Sequence, residues 1–328
     1  MSNTFLDLLE TGRTLVADGA MGTALFARGL ESGGSPELLN VEQPELIGAV
    51  HGDYIAAGAD IVLTNTFGGN RLRLALHGAG GRVAELNEAA VAIAREAASA
   101  VDRPVAVAGS IGPTGELFEP LGSLDPLAAR HAFHEQASAL AAAGADVLWI
   151  ETLSSYEELL AAAEGCADFD LPVVATMSFD TQGKTMMGVN PAELGDWASE
   201  LYLTAVGANC GVSPGDNLLA VHTLALANPE ATVVVKGNCG IPLYAAGDLI
   251  YPTGPEHMAD YVELAIASGA RIVGACCGST PAHIAAIRTA VDHPVDRGPV
   301  DAAEIAARFD VTAGPPRREK RKNARRSR

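Results

Sequence analysis

The chain has 328 residues, of which 48% are hydrophobic, 19% charged and only 5% aromatic. Apolar content this high excludes global disorder, and five cysteines in a chain of this length exclude a disulfide scaffold. The net charge of −18 excludes nucleic-acid binding through the average field of the body.

The N-terminal MSNTFLDLLETGR carries acids and no basic flank before an apolar run, unlike a secretory signal. No long uncharged apolar stretch follows, so no membrane span is expected. The expected location is the cytoplasm, with reduced thiols. Eight apolar runs come next, in order: LVADGA (15–20), IVLTNTF (61–67), VAVAGSIG (105–112), VLWIETL (147–153), VVATMSF (173–179), AVGANC (205–210), VVVKGNCG (233–240) and IVGACCG (272–278). Their hydrophobicity is continuous rather than alternating, as in parallel strands buried on both faces. Between them lie segments of helical period, among them 44–58, 82–100, 125–144 and 256–269, with Gly58, Gly144 and Gly269 placed as helix C-caps. Eight strand–helix units in one composition regime predict a single (β/α)8 TIM barrel over residues 1–312. An open doubly wound sheet is the alternative, weakened because no Gly-x-Gly-x-x-Gly follows the first strand. After the breaker Gly314-Pro315-Pro316 comes RREKRKNARRSR (317–328), which carries +7 and leaves the remainder at −25. Residues 313–328 are expected to be a short disordered basic tail. Contact with an acidic partner, RNA or the chain's own acidic surface is the other reading of the tail.

In a barrel the chemistry lies at the C-terminal ends of the strands. Those ends hold Asp18, Asn65, Glu151, Asn209, Cys210, Asn238, Cys239, Cys276 and Cys277. Cys166 stands alone in a helical segment and reads as a small buried hydrophobe. Vicinal Cys276 and Cys277 have the wrong geometry for a bridge to each other. Together with a third thiolate from a neighbouring strand they suit a tetrahedral Zn²⁺ that keeps one position open. Cys210 and Cys239 both stand on strands close enough to supply that thiolate. His222 and His283 fall on predicted helices without a local partner that would make them ligands.

DGAMGT (18–23), LTNTFGGN (63–70), GSIGPTGE (109–116), IET (150–152), GANCG (207–211) and GACCGSTPAHI (274–284) together resemble the homocysteine-binding methyltransferase family. That family includes the betaine–homocysteine methyltransferases and the homocysteine module of cobalamin-dependent methionine synthase. The resemblance spans residues 13–292 in order, and its most specific part is the separated Cys plus Cys-Cys-Gly. KTMMG (184–188) and VKGNCGIP (235–242) look most like bacterial betaine–homocysteine methyltransferases. The resemblance implies that Cys210, Cys276 and Cys277 are the zinc ligands, with Cys239 a rim thiol beside them. A free thiol is mostly protonated at pH 7, and zinc ionises it. Zinc would thus present the sulfur of homocysteine as the nucleophile, and no protein nucleophile is required.

The amino-acid end of homocysteine needs acids for its ammonium and donors for its carboxylate. Asp18 and Glu151 are the candidate acids. The backbone amides of Gly22-Thr23 or of Ser110–Gly112 are the candidate anion nests. Asn209 is placed to reach a metal-bound sulfur. Betaine is the expected methyl donor, its quaternary ammonium resting on aromatic faces such as Phe67, Phe26, Phe118, Tyr244 or Tyr251. The early loop 26–40 has no Trp or Tyr, which departs from the animal-type betaine enzymes. A separate corrinoid protein could instead deliver the methyl group, making the chain one subunit of a split methionine synthase. A non-catalytic homocysteine-binding zinc protein is the remaining alternative. Oligomerisation is left open.

Overall fold

The computed structural model describes residues 3–245, 248–295, 298, 300–309 and 311. A strand forms at each of the eight apolar runs: β1 Leu15–Val16, β2 Ile61–Leu63, β3 Ala106–Ile111, β4 Val147–Leu153, β5 Val173–Met177, β6 Ala205–Cys210, β7 Val233–Gly237 and β8 Ala270–Ala275, the last starting two residues ahead of its run. β4 and β6 fill their runs, whereas the other runs continue past the strand into the loop that carries the polar end. All neighbours pair in parallel, in the order β1-β8-β7-β6-β5-β4-β3-β2. A parallel bridge between Ala17 and Ile61 joins β1 to β2 and closes the ring. The open-sheet alternative is thereby excluded.

One helix returns the chain after each strand: α1 Pro44–Ala56, α2 Val83–Ser99, α3 Pro126–Ala142, α4 Tyr156–Cys166, α5 Pro191–Glu200, α6 Pro214–Ala227, α7 Pro255–Ala267 and α8 Pro281–Asp292. The architecture is a (β/α)8 barrel. Six of these helices, α1, α3 and α5 to α8, open on proline, whose missing N–H would have no helical partner there. Asp125, Ser155, Asn190 and Ser213 accept from the first-turn amides of α3 to α6. Gly58 and Gly144 take positive φ just past α1 and α3 and close the hydrogen-bond pair of a Schellman motif.

Successive strand residues point to opposite faces, and the two faces fill different cores. Leu15, Ile61, Ala106, Ala108, Val147, Trp149, Val174, Ala205, Val234 and Ile272 pack together inside the barrel, closed off by Phe5 and Leu8 from the N-terminal helix Thr4–Glu10. Val16, Val62, Val107, Leu148, Val206, Val235 and Val273 face the helices in a second core. Small alanines make room for Trp149, one of the largest fully buried side chains.

The sequence patterns miss several short elements: helices Met21–Phe26, Arg71–Ala75 and Ala302–Arg308, and a hairpin of Leu243–Ala245 with Asp248–Ile250. None is long enough to display a period. Among the described residues no helix is long and apolar enough to cross a membrane. The expected basic tail, 313–328, lies outside the described residues.

Candidate metal centre and substrate pocket

Cys210 is the last residue of β6, and Cys276 and Cys277 follow β8 directly. Their three Sγ atoms lie within 4.8 Å of one another. Zinc–sulfur bonds near 2.3 Å in a tetrahedron place sulfurs roughly 3.8 Å apart, so the donor set fits that ion. Without a cation the thiols compete for one charge. Hydrogen bonds from Cys210 and Cys276 pull Cys277 below the ordinary thiol range. Hydrogen bonding to Cys276 and Cys277 drives Cys210 far up. A divalent cation removes this conflict by ionising all three.

Local backbone brings the thiols together. Cys210 adopts φ 59° and Gly211 φ 82°, a left-handed pair that turns the chain sharply off β6. A non-glycine residue in that region is uncommon and marks a constrained site. The Cys276 N–H donates to Gly237 O at 2.7 Å, and the Cys239 N–H donates to Cys277 O at 2.8 Å. The loops after β7 and β8 are thus stitched to each other. Cys239 is fully buried, and burial pushes its thiol up to about 12. It stands outside the three-thiol group. Cys166 is buried on α4. His283 closes the first turn of α8, accepting the Thr280 N–H at Nδ1 and facing Thr253 O through Nε2. His222 lies on α6 and is likewise no member of the thiol group.

A cavity of about 330 Å³ opens over the thiols and is bordered by Asp18, Glu151, Gly22 and Thr23. Asn209, fully buried, sits behind its wall. Asn209 Nδ2 donates to Thr152 Oγ1 at 2.6 Å and lies 4.0 Å from Cys276 Sγ. Its Oδ1 accepts from the Thr152 N–H at 2.9 Å and from Thr176 Oγ1 at 2.7 Å. Glu151 Oε1 accepts from Ser110 Oγ at 2.6 Å, and burial raises its carboxyl to about 7 against the pull of Lys236.

Asp18 reaches the cavity already paired. Its Oδ1 accepts from Lys236 Nζ and its Oδ2 from the Leu63 N–H, both at 2.8 Å. Lys236, on β7, is missed by the sequence reading. Burial works against its charge, but Asp18 and Glu151 outweigh burial and hold the ammonium above its ordinary pKa. A lysine interrupting the run VVVKG is the signal that could have found it, since a charge in a doubly buried strand demands a partner.

The two candidate nests separate. The Ser110 and Gly112 amides already donate to Thr64 Oγ1 and Phe67 O. Gly22 and Thr23 lie in the first turn of Met21–Phe26, which has no side-chain cap. Gly19, just before, has no room for a side chain: a Cβ would stand 2.5 Å from Ser279 Oγ and 2.7 Å from the Tyr54 ring. Of the expected aromatics, Phe67 borders the cavity. Phe26 is exposed, Phe118 is buried and Tyr251 is half-buried, and none of the three borders it. The side chain of Tyr244 is outside the described set.

The fold and the site define a TIM barrel with a three-thiol centre at the C-terminal mouth and an amino-acid-sized pocket over it. Residues 15–291 match the homocysteine S-methyltransferase family model, and the chain belongs to that family. It is 34% identical over 305 residues to the methionine synthase of Mycobacterium tuberculosis, covering 87% of this chain and 25% of that one. With the methionine synthase of Mycobacterium leprae it shares 33% over 317 residues, covering 89% and 26%. The chain therefore spans about a quarter of the length of these curated relatives. The metallated form of the homocysteine methyltransferase MmuM from Escherichia coli superposes with a TM-score of 0.75 at 28% identity, over 88% of this chain and 99% of that one.

Proposed function

We propose that this chain is a zinc-dependent homocysteine S-methyltransferase that forms methionine. The convergence of Cys210, Cys276 and Cys277 under a pocket with Glu151 on its wall carries the reading. The metallated MmuM relative supports the metal. Zinc on three thiolates keeps a fourth position, where it would hold the substrate thiol ionised at neutral pH.

The chain's own residues do the rest. Glu151 takes the ammonium of homocysteine, and Asp18, held by Lys236, adds negative potential beside it. The Gly22 and Thr23 amides take the carboxylate. Asn209 fixes the direction of the Cys276 sulfur and buttresses the wall through Thr152. Asp18, Lys236 and Asn209 are buried behind the pocket, and holding both ends of the amino acid orients it for in-line attack. The chemistry suits the cytoplasm, where thiols stay reduced.

Betaine is the proposed donor, supported by Phe67, which is 38% exposed and borders the cavity. A second reading has a separate corrinoid protein deliver the methyl group. The methionine synthase relatives, of which this chain matches a quarter, favour it. A donor screen decides. Zinc-loaded protein with homocysteine and glycine betaine should yield methionine and dimethylglycine in equal amounts. Inertness with betaine beside turnover with methylcobalamin would select the corrinoid reading. Failure of homocysteine to be methylated by betaine, S-methylmethionine or methylcobalamin would sink the function altogether.

A further inference from the structure

The cavity over the thiols is bordered by the cationic side chains of Lys236 and Arg73, with His77 beside them. Lys236 is committed to Asp18. Arg73, on the short helix after β2, is half-buried. Among the described residues its guanidinium has no hydrogen-bond or ion-pair partner. Its neighbours behave otherwise: Arg71 grips Glu135 through two bonds of 2.6 Å, and Arg82 pairs with Glu85 at 2.7 Å. A guanidinium presents five donors in a fork matched to a carboxylate. Left half-buried and unpaired in a chain of net charge −18, it is positioned for an anion from outside the protein.

Glycines fix its position. At Gly115, φ 81°, a Cβ would stand 2.9 Å from Arg73 Nη1. At Gly112, three residues earlier, a Cβ would stand 2.7 Å from the Phe67 ring. The loop Gly112–Gly115 therefore carries Phe67 against one end and Arg73 against the other, and both border the same cavity. An aromatic face beside an unpaired guanidinium matches a small zwitterion that has a methylated cation at one end and a carboxylate at the other. The acceptor's own ammonium and carboxylate are served by groups at the ends of β1 and β4, whereas Arg73 stands on the helix beyond β2.

We propose that Arg73 determines donor specificity by pairing with the carboxylate of a zwitterionic methyl donor whose cation rests on Phe67. This rests on the functional reading above, in which homocysteine occupies the thiol end of the cavity.

Binding to the full zinc-loaded chain tests it without turnover. Calorimetry with 2-aminobutyrate in place of homocysteine, an acceptor that lacks the thiol and cannot be methylated, would compare glycine betaine with choline, which keeps the trimethylammonium and lacks the carboxylate. Wild-type protein should bind betaine more tightly by about tenfold or more, the size of a charge-assisted hydrogen bond. Arg73→Gln should abolish that preference by weakening betaine, and Arg73→Lys should restore part of it. Homocysteine affinity, measured separately, should hold within about twofold, since in this reading the guanidinium makes no direct contact with the acceptor. Equal binding of betaine and choline by wild-type protein would overturn the proposal, as would betaine affinity untouched by Arg73→Gln. A loss of homocysteine affinity instead would assign the guanidinium to the acceptor's carboxylate and likewise overturn it. Should homocysteine fail to bind wild-type protein, the functional reading falls, and the role of Arg73 with it.

Discussion

Lys236 and Asp18 meet at 2.8 Å with side chains 4% and 3% exposed. Removing one partner from a buried pair leaves an uncompensated charge, at a cost of about 3–5 kcal/mol. Lys236→Met should lower the free energy of unfolding by that amount, as read by denaturant titration. The double variant with Asp18→Asn should recover part of the loss. Simple additivity of the two single losses would contradict a direct pairing. Glu151 has a different task, because its carboxyl borders the cavity beside Ser110 and Asn209. Glu151→Gln should raise the KM for homocysteine by about tenfold or more, the worth of a hydrogen bond to a charge. An unchanged KM would place the ammonium elsewhere.

At the scale of elements, β6 and β7 set the metal centre through a contact only glycine permits. A Cβ at Gly207 would stand 1.8 Å from Val234 O, which is backbone in the paired strand. Gly207→Ala should force the two strands apart, moving Cys210, weaken zinc retention and lower stability by about 1–3 kcal/mol. Full zinc retention in a folded Gly207→Ala protein would contradict that coupling. In α1, His51 is fully buried with neither ring nitrogen partnered, and burial depresses its pKa to about 4. Above pH 6.5 the imidazole is neutral in folded and unfolded chains alike. As pH falls from 6.5 to 4 only the unfolded chain takes up the proton, so about 3 kcal/mol of stability drains away across that window. Wild-type protein should lose more stability than His51→Leu between pH 7 and 4, and parallel curves would contradict this.

The long elements were legible because period and punctuation agree. The helix patterns at 44–58 and 125–144 match α1 and α3, and Gly58 and Gly144 end them. Helices Met21–Phe26 and Arg71–Ala75 were not legible, since neither spans two full turns. The thiols were legible because three strand ends of a barrel converge. Lys236 was not, because its partner stands 218 residues away and no local pattern names it. The nest at Ser110–Gly112 read equally well as that at Gly22-Thr23 until hydrogen bonds to Thr64 and Phe67 removed its free amides.

At the scale of the whole molecule, barrel closure turns residues distant in sequence into one centre: β6 and β8 flank β7, so the three sulfurs meet within 4.8 Å. Methyl transfer in the proposed reaction depends on those sulfurs holding zinc for the acceptor thiol. The direct measurement is metal stoichiometry by plasma mass spectrometry on zinc-equilibrated, desalted protein, with methionine formation assayed on the same samples. Wild-type protein should retain about one zinc per chain. Cys210→Ser, Cys276→Ser and Cys277→Ser should each lose the metal and the activity together, while Cys239→Ser keeps metal. Wild-type protein free of zinc after equilibration, or Cys276→Ser with full zinc and full methyl transfer, would contradict the account.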